Sequence, residues 1–229
     1  MGSSLGSEVG PWGVPQIEVR PYDVADRDEL VDVVFEAAGA GAPSSEVWGH
    51  HASLAEVYLT PYLDLEPDSA FVVTVDGRPA GYLVGCVDES RFPSEEDRTS
   101  AAIRKHRLFR MPGPRRFFVR AALDTAYLRL RRVPTAGELS DPRWPSHLHI
   151  DLMPEARGSG AADRLVELWF ARLREVGSPG CYLQTSAENH RAVAFFERVG
   201  FERYGDNPVV PGMRYAGERM HQQTMVWSA

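Results

Sequence analysis

The segment Arg157-Gly158-Ser159-Gly160-Ala161-Ala162 joins a guanidinium group to a run of small residues at the head of an amphipathic stretch. Glycines at 158 and 160 let successive backbone N–H groups converge on one point, and a helix starting there adds partial positive charge from its dipole. Such a turn suits a pyrophosphate, and equally a tight strand-to-helix connection. Immediately upstream, His147, His149 and Asp151 alternate with Leu148, Ile150 and Leu152. That spacing puts the titratable groups, with Met153, on one face of a strand and the aliphatic groups on the other. A carboxylate or imidazole beside an anion site can accept a proton while a bound group is transferred.

The neighbouring patterns predict elements that hold these residues. A strand over 147–153 leads into a helix over about 159–176, with Leu165, Val166, Trp169, Leu173 and Val176 as its apolar stripe. A strand over 181–185 and a helix over 189–199, stopped by Gly200, come next. Strands at 201–204 and 223–227 bracket a turn-rich loop. Upstream, residues 16–20 alternate as a strand, and Val24, Leu30, Val31, Val34 and Phe35 line one side of a helix. A loop at 38–45 and a second helix at 51–58 follow. Two β runs, 70–75 and 79–87, meet at Asp76-Gly77, a hairpin signal. From 88 to 145 no strand is expected; arginine-rich helices over 100–110 and 117–132 are separated by Met-Pro-Gly-Pro at 111–114. The order predicts an α/β fold with a central mixed sheet and a helical insertion at about 89–145. Residues 1–15 read as a disordered leader and 16–229 as a single domain.

Composition narrows the classes. With 229 residues, 43% hydrophobic and 25% charged, the chain has the proportions of a soluble globular protein. No stretch approaches the ~18 apolar residues of a membrane helix, and the N-terminus has no signal-peptide pattern. The expectations are therefore no membrane and a cytoplasmic location. Two cysteines are too few for a disulfide framework or a cysteine-rich zinc site. His50-His51 lacks the spacing of a metal site, and no metal is expected. A net charge of -7 argues against general nucleic-acid binding. Residues 89–145 depart from that average: thirteen basic and seven acidic residues give them a net of +6. All but one of the 25 basic residues are arginine, a bias that fits a GC-rich bacterial genome.

Arg157-x-x-Gly160-x-Ala162 after a strand, with Asn189-x-x-Ala192-x-x-Phe195-Phe196-x-x-x-Gly200-Phe201 downstream, resembles the paired motifs of the GNAT superfamily of N-acetyltransferases. Within it, residues 58–73, 146–160 and 177–186 look like the acetyltransferase-like domain of O-GlcNAcase and its free-standing bacterial relatives. The resemblance implies a mostly antiparallel sheet flanked by helices and acetyl-CoA as co-substrate. It also implies a cofactor lying between two splayed parallel strands. The pantetheine would pair with backbone groups of Leu152 and Met153. The pyrophosphate would rest on the amides of Arg157, Gly158, Ser159, Gly160, Ala161 and Ala162. Asn189 would bond the pantetheine, and Ala192, Phe195 and Phe196 would line the thiol end. A backbone N–H near Leu152 would polarise the thioester carbonyl.

One departure bears on catalysis. Phe196 stands where the family often has a tyrosine that protonates the leaving thiolate, and phenylalanine has no proton to give. Tyr182 and Tyr204 are substitutes by type. For the base, Asp151 comes first, with His149, His147 and Glu188 behind it; each could instead serve a structural hydrogen bond. The expected activity is acetyl-CoA-dependent N-acetyl transfer to an unidentified small-molecule or peptide amine by direct attack. The alternative is a module that binds acetyl-CoA with little or no catalysis. The arginine-rich insertion reads as solvated helix faces, as a source of contacts to the cofactor's 3′-phosphate or the acceptor cleft, or as a dock for an acidic partner or nucleic acid. Residues 58–65 and 207–222 are candidate acceptor contacts. Oligomeric state is not encoded in any pattern here.

Overall fold

The computed structural model describes residues 15–37 and 48–229; residues 1–14 of the expected leader and the expected loop at 38–45 lie outside them. The strands are Ile17–Pro21 (β1), Ala70–Val75 (β2), Arg78–Cys86 (β3), Ser146–Leu152 (β4), Gly180–Ser186 (β5), Glu202–Tyr204 (β6), Val209–Tyr215 (β7) and Glu218–Ser228 (β8). They form one sheet in the order β1-β2-β3-β4-β5-β8-β6, with β7 also paired to β8. Every pairing is antiparallel except β4 with β5. The helices are Arg27–Ala37 (α1), His51–Tyr58 (α2), Thr60–Leu65 (α3), Glu95–His106 (α4), Pro112–Leu130 (α5), Ala161–Glu175 (α6) and His190–Arg198 (α7). This is the expected mixed, mostly antiparallel α/β architecture.

Strand alternation divides the core in two. Phe71, Val73, Leu83, Leu148 and Leu183 point to the face covered by α6 and α7, where Leu165, Trp169 and Leu173 are fully buried. Ala70, Val72, Tyr82 and Val84 point to the other face and pack under α1, α2 and α3. Trp169 lies directly over Gly85, where an added Cβ would collide with the indole ring. Gly85→Ala is therefore expected to lower the unfolding free energy by about 2 kcal/mol through overpacking, measured by urea denaturation.

The insertion forms an outer layer. Ala102, Leu108 and Phe117 pack on Trp48, Leu54 and Val57, so α4 rests on α2, while α5 spans from there to β7, where Phe117 and Ala121 lie against Gly212. At the other end Asp124, buried on α5, accepts from the Gly212 backbone N–H at 3.0 Å and from Arg214 at 2.7 and 3.0 Å. Arg219 adds longer contacts at 3.4 Å.

Several elements differ from the sequence pattern for local reasons. α4 starts five residues before the expected 100, because Ser94 caps it by accepting from the Asp97 N–H at 3.1 Å. It stops at His106, where Arg107 turns left-handed. The 111–114 separator is instead the first turn of α5, with Pro112 at a position that needs no donor. α3 was not anticipated, being only six residues long. β7 falls in the expected loop: Pro211 and Gly212 break its alternation, and the register shifts between Val209 and Arg214. Its turn to β8 uses Ala216 and Gly217, both at positive φ, like Asp76 and Gly77 in the hairpin that was anticipated.

Candidate active site

β4 and β5 run side by side only at Ser146↔Cys181 and His147↔Tyr182, then part. A cavity of about 670 Å³ opens at the gap and runs to the first turns of α6 and α7. Met153 donates its N–H to the Ala80 carbonyl on the β3 side at 2.8 Å. Pleat alternation then turns the backbone groups of Leu152 and Ile150 toward the gap. Of the two residues expected to pair with a pantetheine, only Leu152 lines the cavity. Its carbonyl accepts from Arg157 Nε at 3.0 Å.

The turn after β4 shapes the far end. Gly158 and Gly160 take φ of 76° and 85°, left-handed values that a side chain resists, and an added Cβ at either would meet only open space. Both line the cavity with Arg157 and Ala162. Ser159 and Ala161 close the turn: Ser159 Oγ donates to the Ala156 carbonyl at 2.7 Å and accepts from the Ala161 N–H at 3.2 Å. The Arg157 N–H likewise bonds inward, to the Pro154 carbonyl at 3.2 Å. Positive charge comes from Arg157, Arg191 and Arg198, the last paired with Asp163 at 2.6 Å. Among the described residues, none from the basic insertion lines the cavity. Arg191 was not singled out from sequence because one arginine on a charged helix surface carries no signal.

Asn189 caps α7, its Oδ1 accepting from the Ala192 N–H at 3.2 Å. Asn189 itself lines the cavity, with its side-chain oxygen already committed to the helix. Ala192 and Phe195 form an apolar wall, and Phe196, 5% exposed, sits deeper against Phe195 and Phe201. Tyr182 and Tyr204 do not line the cavity; Tyr204 packs on Trp144 at the sheet edge. Glu188 is turned away, held by the backbone N–H and Nδ1 of His221 and by Ser186 Oγ.

Asp151 lines the throat, half-buried, with the Tyr82 hydroxyl donating to its Oδ2 at 2.6 Å. Burial pushes its carboxyl up to about 6, against the opposing pull of Tyr82 and Arg157. Tyr82 is fully buried in an apolar run, which read from sequence only as core. His149 and His147 lie behind the throat rather than on the cavity wall. Both meet the Tyr62 hydroxyl through Nε2, at 3.0 and 2.8 Å, while Arg98 donates to that same oxygen at 2.9 Å. Burial and the Arg98 charge drive the His149 imidazole down to about 3, so it stays neutral near pH 7.

Residues 42–201 match the Acetyltransferase (GNAT) family model. A 50-residue stretch, 22% of the chain, is 40% identical to the uncharacterized N-acetyltransferase YjgM of Escherichia coli (strain K12) and spans 30% of that relative's length. The fold superposes on the crystal structure of SsHAT with a TM-score of 0.60 at 23% identity, covering 93% of this chain and 98% of that one. It superposes on yncA of Salmonella typhimurium, a putative acetyltransferase solved with its cofactor acetyl-CoA, with a TM-score of 0.56 at 13% identity, covering 93% of each chain. A polyamine N-acetyltransferase of Drosophila melanogaster gives 0.57 at 19% identity, over 93% of this chain and all of that one. At these identities the superpositions speak for the fold, and the family match for descent. The chain belongs to the GNAT family of acetyltransferases.

Proposed function

We propose that the protein transfers the acetyl group of acetyl-CoA to an amine by direct attack, with Asp151 as the base. The observation that carries this reading is the cavity that joins a left-handed glycine turn at the α6 N-terminus to the Asp151 carboxyl, which burial pushes up to about 6. A volume of about 670 Å³ falls within the ordinary range for a cofactor-sized ligand. The donor set also fits: helix-terminal N–H groups and arginines at one end, apolar walls at the other. The acetyl-CoA seen with yncA and the amines of the polyamine enzyme support the same substrate classes here.

Bound acetyl-CoA supplies an activated acyl carbon. The chain's residues do the rest. The first turn of α6, with Arg191, holds the diphosphate. The gap-facing backbone of Ile150 and Leu152 aligns the pantetheine arm as an added strand. Asp151, ionised above about pH 6, takes the proton from the incoming ammonium through its carboxylate. Phe196 can donate nothing to the leaving sulfur. Of the carboxyls on the cavity wall, Asp163 is paired with Arg198, so protonated Asp151 is the acid at hand to return that proton to the leaving sulfur, and the second nitrogen proton, shed as the amide forms, passes to solvent. The acceptor is a small-molecule or peptide amine.

Tyr82 tunes this group, because its hydroxyl favours the ionised carboxylate. Tyr82→Phe is expected to move the acidic limb of the kcat/KM profile upward by about one pH unit, read from initial rates between pH 5 and 9. An unmoved limb would separate Tyr82 from the base.

The burial of Phe196 favours a second reading, a module that binds acetyl-CoA without efficient turnover. Calorimetric titration with acetyl-CoA beside a thiol-release assay over an amine panel decides between them. Acceptor-dependent release supports transfer. Binding without release supports the module, and absence of binding excludes both.

A further inference from the structure

We propose that the outer face of α5 docks on the surface of an anionic phospholipid bilayer. The helix is buried along Phe117, Asp124 and Leu128. On its other side Val119, Leu123, Tyr127 and Leu130 are 49%, 67%, 46% and 82% exposed. At 3.6 residues per turn these four span about 80° of the circumference, a continuous apolar row of roughly three turns. Exposed apolar residues are ordinary singly; a row of this length on one helix is not.

Charge identifies the occupant. Arg115 and Arg129 border the row on one side and Arg131 on the other, with Arg116 and Arg132 at its ends, all exposed. Among the described residues, no carboxylate oxygen lies within 4 Å of any of these five guanidinium groups. Elsewhere on the surface Arg20, Arg27, Arg143, Arg198 and Arg203 each sit against a carboxylate, and those that do not, such as Arg78 and Arg174, do not gather on one helix. Residues 104–132 carry ten basic side chains and one acidic, and that one, Asp124, faces inward to Arg214. An apolar centre with arginines on both flanks is the pattern of a helix lying in a lipid interface: the centre enters the acyl boundary while guanidinium groups reach phosphates. A second copy meeting this face by two-fold symmetry would oppose arginine to arginine. Nucleic acid would match the charge and leave the apolar row in water.

The α5 layer rests on α2 and β7, and no α5 residue lines the cavity, so docking leaves the cavity mouth free. No helix among the described residues is long and apolar enough to cross a membrane, which is consistent with binding at the surface.

Cosedimentation of the full chain with vesicles tests this. The protein is expected to pellet with vesicles containing about one-third phosphatidylglycerol, to stay in solution with pure phosphatidylcholine, and to be released by high salt. Arg115→Gln/Arg129→Gln/Arg131→Gln is expected to weaken binding about a hundredfold, from ~1 kcal/mol per arginine. Leu123→Gln/Leu130→Gln, which keeps every charge, is expected to weaken it at least tenfold. All five positions are exposed, and unchanged circular dichroism confirms the fold. Three results would overturn the proposal: no binding to the anionic vesicles, equal binding to both lipids, or binding that the leucine changes leave intact. Capture by duplex DNA with no vesicle binding would replace it with a polyanion site.

Discussion

Asp151→Asn is expected to lower kcat by about 10²–10⁴-fold while acetyl-CoA affinity stays within a few-fold of the parent. Asparagine keeps the shape and can still accept the Tyr82 hydroxyl, but it cannot take a proton from an ammonium. The parent's kcat/KM should fall tenfold per pH unit below about 6, where the carboxyl is protonated; the variant should lack that limb. Stability should move the other way. A carboxyl whose pKa is raised by burial holds its proton more tightly folded than unfolded. Its unfavourable contribution is therefore absent below about pH 4 and grows as pH rises toward 6. Removing the charge is expected to stabilise the fold at pH 8 by about 2–3 kcal/mol, with little change at pH 4, measured by urea denaturation. Loss of activity together with loss of stability at pH 8 would make Asp151 a structural partner of Tyr82 rather than a base.

Asp124→Ala is expected to cost about 3–4 kcal/mol. The substitution leaves the Gly212 N–H and the Arg214 guanidinium without their buried acceptor and unpins α5 from β7. Hydrogen bonding by Arg214, helped by Gly212 and Arg219, holds the Asp124 carboxyl down at about 2. A depressed carboxyl stabilises the fold above its unfolded value. That contribution should be complete above about pH 4 and disappear as pH falls toward 2. Acid titration of parent and variant, followed by tryptophan fluorescence, should converge at the low end. A variant as stable as the parent at pH 7 would show that the insertion is held by its apolar contacts with α2 and β7, without help from this ion pair.

The legible parts of this chain are those where side-chain type and backbone need coincide. Gly158 and Gly160 occupy positive-φ positions that glycine fills without strain, and Asp76-Gly77 supplies both residues of its turn. The alternation from His147 to Leu152 survives in the fold because each face of β4 meets a different core. Position on a strand did not settle which titratable group faces the cavity. Asp151 and His149 share a face, yet only Asp151 reaches the cavity, because Tyr62 and Arg98 from distant segments enclose the imidazole. Tyr82 and Arg191 were illegible for the same reason: their roles come from partners far away in sequence. β7 was missed because Pro211 and Gly212 disrupt the period that identifies a strand. The insertion's exposed apolar row has the period of a buried helix face, and sequence carries no mark of which face is inward.

The two-pair seam between β4 and β5 gives the sheet an uneven resistance to solvent exchange. β3 and β4 share six residue pairs and β5 and β8 share seven, whereas two pairs join the halves. Hydrogen–deuterium exchange should therefore be slow within each half and fast for the gap-facing amides of Ile150 and Leu152. A ligand that pairs with that edge supplies the missing rungs, so its occupancy should appear as protection confined to those amides and to the first turn of α6. The sheet is in this sense two half-sheets whose continuity depends on what lies between them.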